Sequence, residues 1–174
     1  MKLPPALLLA PPALLLAGAL AAQTAGNTVD VRAAMVGQVN PATLAIWDVG
    51  NTAMNDEGGI DPALMTDESW ARLADAAARL DRASEDMATA EVILSAAPGN
   101  IPDGETAGAS MAEIQGYIDT DPDGFRAAAK ELADYAAKLS TAALNRDADA
   151  AGDLVAELDS VCEGCHSPYW YPQQ

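Results

Sequence analysis

The 174-residue chain is poor in the side chains from which catalytic and metal sites are usually assembled. It holds one histidine, His166, and two cysteines, Cys162 and Cys165, all within one short C-terminal stretch. That excludes an active site built from scattered His and Cys, and three such groups fall short of the four N or S ligands of a structural zinc site. Cations are also scarce: nine Lys and Arg stand against 26 Asp and Glu, for a formal net charge of −17. Phosphate backbones are bound by clustered cations, so nucleic acid is excluded as a partner. Runs of β-branched residues are missing, and Phe125 is the single phenylalanine. An interior lined so largely by Ala holds little bulky apolar material, and something else is expected to fill it.

What is present falls into two parts. Met1-Lys2 leads into an uncharged Leu/Ala/Pro stretch and then into small residues at Ala17-Gly18-Ala19 and Ala21. This reads as a secretory signal over 1–22, cleaved on export to the periplasm. Prolines at positions 4, 5, 11 and 12 argue against a long transmembrane helix there, and no later segment is apolar enough to span a bilayer. The remaining residues, 23–174, are expected to form one domain without membrane attachment.

In that domain apolar residues recur at steps of three and four, which predicts an all-α protein without strands. A first helix is expected over about Thr28 to Met54, interrupted near Asn40-Pro41 because proline cannot donate to the carbonyl four residues back. A second is expected from about Asp67 to Ala97, behind an N-cap at Thr66. A short helix is expected around Ala109 to Ile118, and a third long one from Asp121-Pro122 to about Asn145. The last long helix starts near Asp147 and is expected to stop at Pro168. Four amphipathic helices with short connections give an antiparallel up-down-up-down four-helix bundle as the economical architecture.

The last helix carries Cys162-Glu163-Gly164-Cys165-His166, the C-x-x-C-H pattern of c-type haem attachment. Thiols three apart lie about one turn from each other on one helical face, so both can form thioethers to one porphyrin, while His166 supplies an axial nitrogen to the iron. The rival readings are weaker. A disulfide between these positions would be strained and would close too short a loop to stabilise much. A thioredoxin-like pair belongs at the start of a helix after a strand, and here the pair sits near a helix end.

A four-helix chain ending in this motif and Ser167-Pro168-Tyr169-Trp170 resembles the class II c-type cytochromes: cytochrome c′ and its low-spin, methionine-ligated relatives. Met35-Val36-Gly37-Gln38-Val39-Asn40-Pro41, leading to Ile46-Trp47-Asp48-Val49-Gly50, is similar to exported members of that superfamily. The resemblance implies one covalently bound haem c with its iron, no enzymatic activity, and either electron transfer or NO/CO binding. It also implies a pairing of Arg32 with a haem propionate, and it allows a homodimer through the first two helices.

With one histidine, a haem with two histidine ligands from this chain is impossible, and the question falls on methionine. In an up-and-down bundle the start of the first helix lies beside the end of the fourth, which places Met35 near His166. Met54, 19 residues further on, would be roughly 28 Å away along an unbroken helix, and Met65 shares that far end. Met87 and Met111 are on the haem side and stay open as alternatives, as does a vacant sixth position with Met35 as plain core filling. The resemblance implies Met35, since low-spin class II proteins take their methionine from the first helix. Trp47, Trp70, Tyr169 and Trp170 could pack on a porphyrin or simply be core. The expectation is therefore an exported electron carrier with Cys162, Cys165, His166 and Met35 as its site, whose acidic surface suits a redox partner with a basic patch.

Overall fold

A computed structural model describes residues 27–99 and 109–170. The expected signal over 1–22 lies outside the described residues. The order is strand β1 (Thr28–Asp30), helix α1 (Val31–Ala34), a π-helical turn (Met35–Val39), α2 (Asn40–Thr52), α3 (Asp67–Ala88), strand β2 (Val92–Leu94), α4 (Met111–Thr120), α5 (Pro122–Asn145) and α6 (Ala148–Tyr169).

Local chemistry explains most boundaries. Side-chain oxygens of Asp30, Thr66, Ser110, Asp121 and Asp147 each accept from a backbone N–H of the first turn that follows, satisfying donors with no partner inside the helix. Ser110 and Glu113 do so reciprocally, a full capping box. Arg146 ends α5 in the left-handed conformation, at φ 55°.

The expectation at Asn40-Pro41 takes a specific form. Instead of a break, the helix widens: the Asn40 N–H reaches back to the Met35 carbonyl, one residue further than in an α-helix. Pro41 has no N–H to give, and its ring would crowd the carbonyl four residues earlier; the widened turn relieves both problems.

Two expectations are corrected. The protein is mostly helical rather than wholly so, because Thr28–Asp30 and Val92–Leu94 pair as a small parallel sheet in register Thr28 with Val92 and Asp30 with Leu94. Thr28 therefore belongs to a strand, and α3 stops at Ala88 instead of running on to Ala97. The Asp30 carboxylate holds the two segments together, accepting from Ala33 N and, across the sheet, from Ala97 N at 2.9 Å. Gln115 of α4 closes the outer edge of β2, accepting from Ser95 N and donating to the Ile93 carbonyl. Secondly, Pro168 does not end α6, which continues to Tyr169. Tyr169 is buried, stacks edge-on to Phe125 with ring centroids 5.4 Å apart, and donates its hydroxyl to the Asp121 carbonyl. The tertiary anchor thus holds a turn that proline alone would disfavour.

The core gathers α2, α3, α5 and α6. α3 packs most extensively on α5, α5 on α6, and α2 on α3, whereas α6 touches α2 only lightly. Val39, Ala42, Ile46, Val49 and Ala53 are buried at steps of three and four along the first helix, and Leu73, Leu80, Leu139 and Leu158 are wholly buried on the other three. At Gly152 a Cβ would lie 2.8 Å from Ile60 N, so this glycine lets the loop before α3 rest against α6. No helix among the described residues is long and apolar enough to cross a membrane.

Candidate functional site

The light contact between α2 and α6 leaves a cleft. Its cavity volume is about 150 Å³, and it opens to solvent. α6 contributes Cys162, Cys165 and His166 to one wall, with Asp159 and Glu163 exposed at its rim. Across from them are Met35 and Val39 of the π-helical turn and Asn40, Thr43 and Trp47 of α2. Met87 of α3 and an apolar strip of α5, including Phe125 and Leu132, close the remaining side.

The α6 residues face inward because of their spacing. Residues 158, 161, 162 and 165 fall on one helical face, and Leu158 at the head of that face is wholly buried. Cys162 and Cys165 follow it as free, half-buried thiols. Burial pushes the Cys165 thiol up to about 11, with the neighbouring Cys162 adding to the shift. Burial likewise raises Cys162, helped by the Asp159 carboxylate. Both are thus protonated at neutral pH, which disfavours the thiolate chemistry of a redox dithiol. The sheet offers that reading no support either, since neither strand leads into α6. The His166 ring sits 5.6 Å from that of Trp170, tilted by 58°. Among the described residues no group of three or more His, Cys, Asp or Glu could hold a bare metal ion.

The cleft is largely apolar but carries one polar anomaly. Thr43 is 6% exposed, and its hydroxyl has no hydrogen-bond partner. A helical threonine usually donates to the carbonyl one turn back, and an unmet buried hydroxyl is costly.

A family model for cytochrome c′ matches residues 69–170, more than half of the chain. The chain belongs to the cytochrome c′ family. Cytochromes c′ bind haem c covalently, with its iron, and are typically exported to the periplasm. No curated protein and no solved structure matches the chain. The matched span runs from the first turn of α3 through α6, hence over Cys162, Cys165 and His166, and leaves out α2 and Met35. The cleft fits that group in its chemistry: two free thiols one turn apart, an imidazole beside them and a largely apolar interior.

The structure brings all four sequence-expected site residues to this one cleft, and it separates the methionines. Met35 and Met87 line the cleft; Met111 begins α4 and Met54 and Met65 flank the loop beyond α2, all outside the lining. Arg32 is also outside the lining. Of the aromatics, Trp47 lines the cleft, while Trp70 and Tyr169 are core. Phe125 and Leu132 were legible only as members of the α5 stripe, and Thr43 gave no sequence signal at all.

Proposed function

We propose that this cytochrome c′ family member is an exported, single-haem electron carrier. In this reading residues 1–22 are a signal removed on export, and 23–174 fold as an up-and-down bundle of α2, α3, α5 and α6. Cys162 and Cys165 are the thioether attachment points, His166 the proximal ligand and Met35 the sixth ligand. The observation that carries it is the placement of the α6 motif and Met35 on facing walls of one cleft. Bound there, haem c supplies an iron that changes oxidation state by one electron.

The chain's own contribution is positional. α6 presents two thiols and an imidazole from one rigid element, so attachment fixes ring and ligand together. The apolar side chains of Val39, Phe125 and Leu132 keep water from the interior, and a thioether sulfur from Met35 favours the reduced iron. Exposed carboxylates such as Asp159 and Glu163 at the rim suit docking to a partner with a basic patch. A second reading, a five-coordinate haem that binds NO or CO, is favoured by the same apolar wall around a Met35 that is only half-buried.

The absorption spectrum of the periplasmically matured protein separates the two. Low-spin bands with the weak near-infrared band of methionine-ligated ferric haem support Met35, and Met35→Ala then turns the spectrum high-spin. High-spin bands in the wild type with rapid CO binding overturn electron carriage through Met35 in favour of the second reading. A low-spin spectrum that survives Met35→Ala transfers the role to Met87.

A further inference from the structure

Resting on the haem reading above, we infer that Trp170 is a positioning residue for the proximal ligand, its indole backing the His166 imidazole and fixing the plane of that ring. The contact follows from spacing. His166 and Trp170 are four apart at the end of α6, where Trp170 is the capping residue. Long side chains of a helix lean back towards its N-terminus, so the Trp170 ring comes to rest by His166. The ring centroids are 5.6 Å apart at a tilt of 58°, a separation at which aromatic pairs attract. His166 lines the cleft and Trp170 does not, so the indole supports the imidazole without competing for the space within.

The indole can act as a support because it is itself held. The Trp170 N–H donates to the His166 carbonyl at 2.7 Å, closing the turn that carries both rings. Pro168 within that turn has no N–H to give. The adjoining position fixes the turn instead, since Tyr169 is buried, packs edge-on to Phe125 and donates its hydroxyl to the Asp121 carbonyl. Trp170 is half-buried and packs against the core beside that anchor. A histidine bound to iron is restrained along the bond to the metal but can still turn about it, and neighbours of the imidazole set its orientation. A ring kept in one plane has less to rearrange when the iron changes charge, which suits one-electron transfer.

The test uses the matured holoprotein as wild type, Trp170→Leu, which keeps apolar bulk against the core and removes the ring, and Trp170→Phe, which returns a ring. The readout is the set of haem methyl proton resonances in the oxidised protein, whose spread reports how firmly the axial imidazole keeps one plane. Trp170→Leu narrows that spread, because an imidazole free to turn averages the methyls, and Trp170→Phe restores it. Leu80→Ala, a truncation at a wholly buried position outside the cleft lining, leaves the spread unchanged while lowering the melting temperature. A wild-type spread in Trp170→Leu overturns the assignment, as does a narrowing that Leu80→Ala reproduces or that Trp170→Phe fails to reverse. Wild-type protein that retains no haem after denaturation defeats the haem reading itself; retained haem with an unmoved spread defeats the role of Trp170 alone.

Discussion

The α3–α5 and α2–α6 sides of the molecule draw on similar residues and reach opposite states. Between α3 and α5 the buried residues include Leu73, Ala76, Ala77 and Leu80 on one helix and Ala133, Ala136, Leu139 and Ala143 on the other. Small alanines let the two axes approach while the leucines interdigitate, so this pair closes on itself. Between α2 and α6 the chain places Met35, Trp47, Cys162 and Cys165, each left half-buried around the cleft. One side supplies its own packing, and the other leaves a cleft beside Cys162, Cys165 and His166 of α6. α6 packs on α5 but only lightly on α2, so a group bound in the cleft would add stability on that side.

Removing both proposed attachment points tests that contrast most severely. The double change Cys162→Ala and Cys165→Ala is expected to abolish all haem retained after denaturing electrophoresis and to lower the melting temperature more than any single change within the cleft. An unchanged melting temperature would mean that α6 needs no bound group. Next comes the self-sufficient side: Leu80→Ala, at a wholly buried position of α3, is expected to cost about 3 kcal/mol in denaturant unfolding. The haem spectrum should not change, and a spectral shift would show that the two sides are coupled.

The smallest effect belongs to the hinge between them. Tyr169→Phe removes the hydroxyl bond from the end of α6 to the Asp121 carbonyl at 3.0 Å, a loss of about 1 kcal/mol. Burial pushes Tyr169 up to about 12, and Tyr135, whose hydroxyl donates to the Leu154 carbonyl, to about 12 as well. Both phenols are held neutral in the fold, so their contribution is full below pH 10 and is lost as pH rises towards 12. Ultraviolet titration should show these two tyrosines ionising last, with unfolding in step.

Where the sequence carried a local signal, it was legible. α5 was expected from Asp121-Pro122 to about Asn145 and spans Pro122–Asn145, because a capping aspartate and a first-turn proline mark its start. The haem motif was legible for the same reason, since all of its information lies in five adjacent residues. The strands were not. Each is three residues long, too short for any periodicity, and each exists only because the other lies 64 positions away. Leu94 lies at a helical spacing from Met87 and inside the span expected for the second helix, yet it belongs to β2. Pro168 misled in the opposite sense, because the Tyr169 anchor that overrides it depends on Phe125 and Asp121 from another helix. Thr43 shows the limit most clearly: a lone threonine in a helix announces nothing until its neighbours are seen to leave its hydroxyl unanswered.

The π-helical turn at Met35–Val39 acts as a phase shifter between the strap that precedes it and the wall that follows. Each residue advances a helix by about 100°, so the one additional residue housed there rotates β1 and α1 by about that angle against α2. This lets a single run of chain send Asp30 to the Ala97 side and still present Asn40, Thr43 and Trp47 to the cleft. Deleting Gly37 would straighten the helix and force a choice between those two alignments. The short sheet and the cleft wall are therefore geared together through one residue, and a change of length there would be felt at both ends.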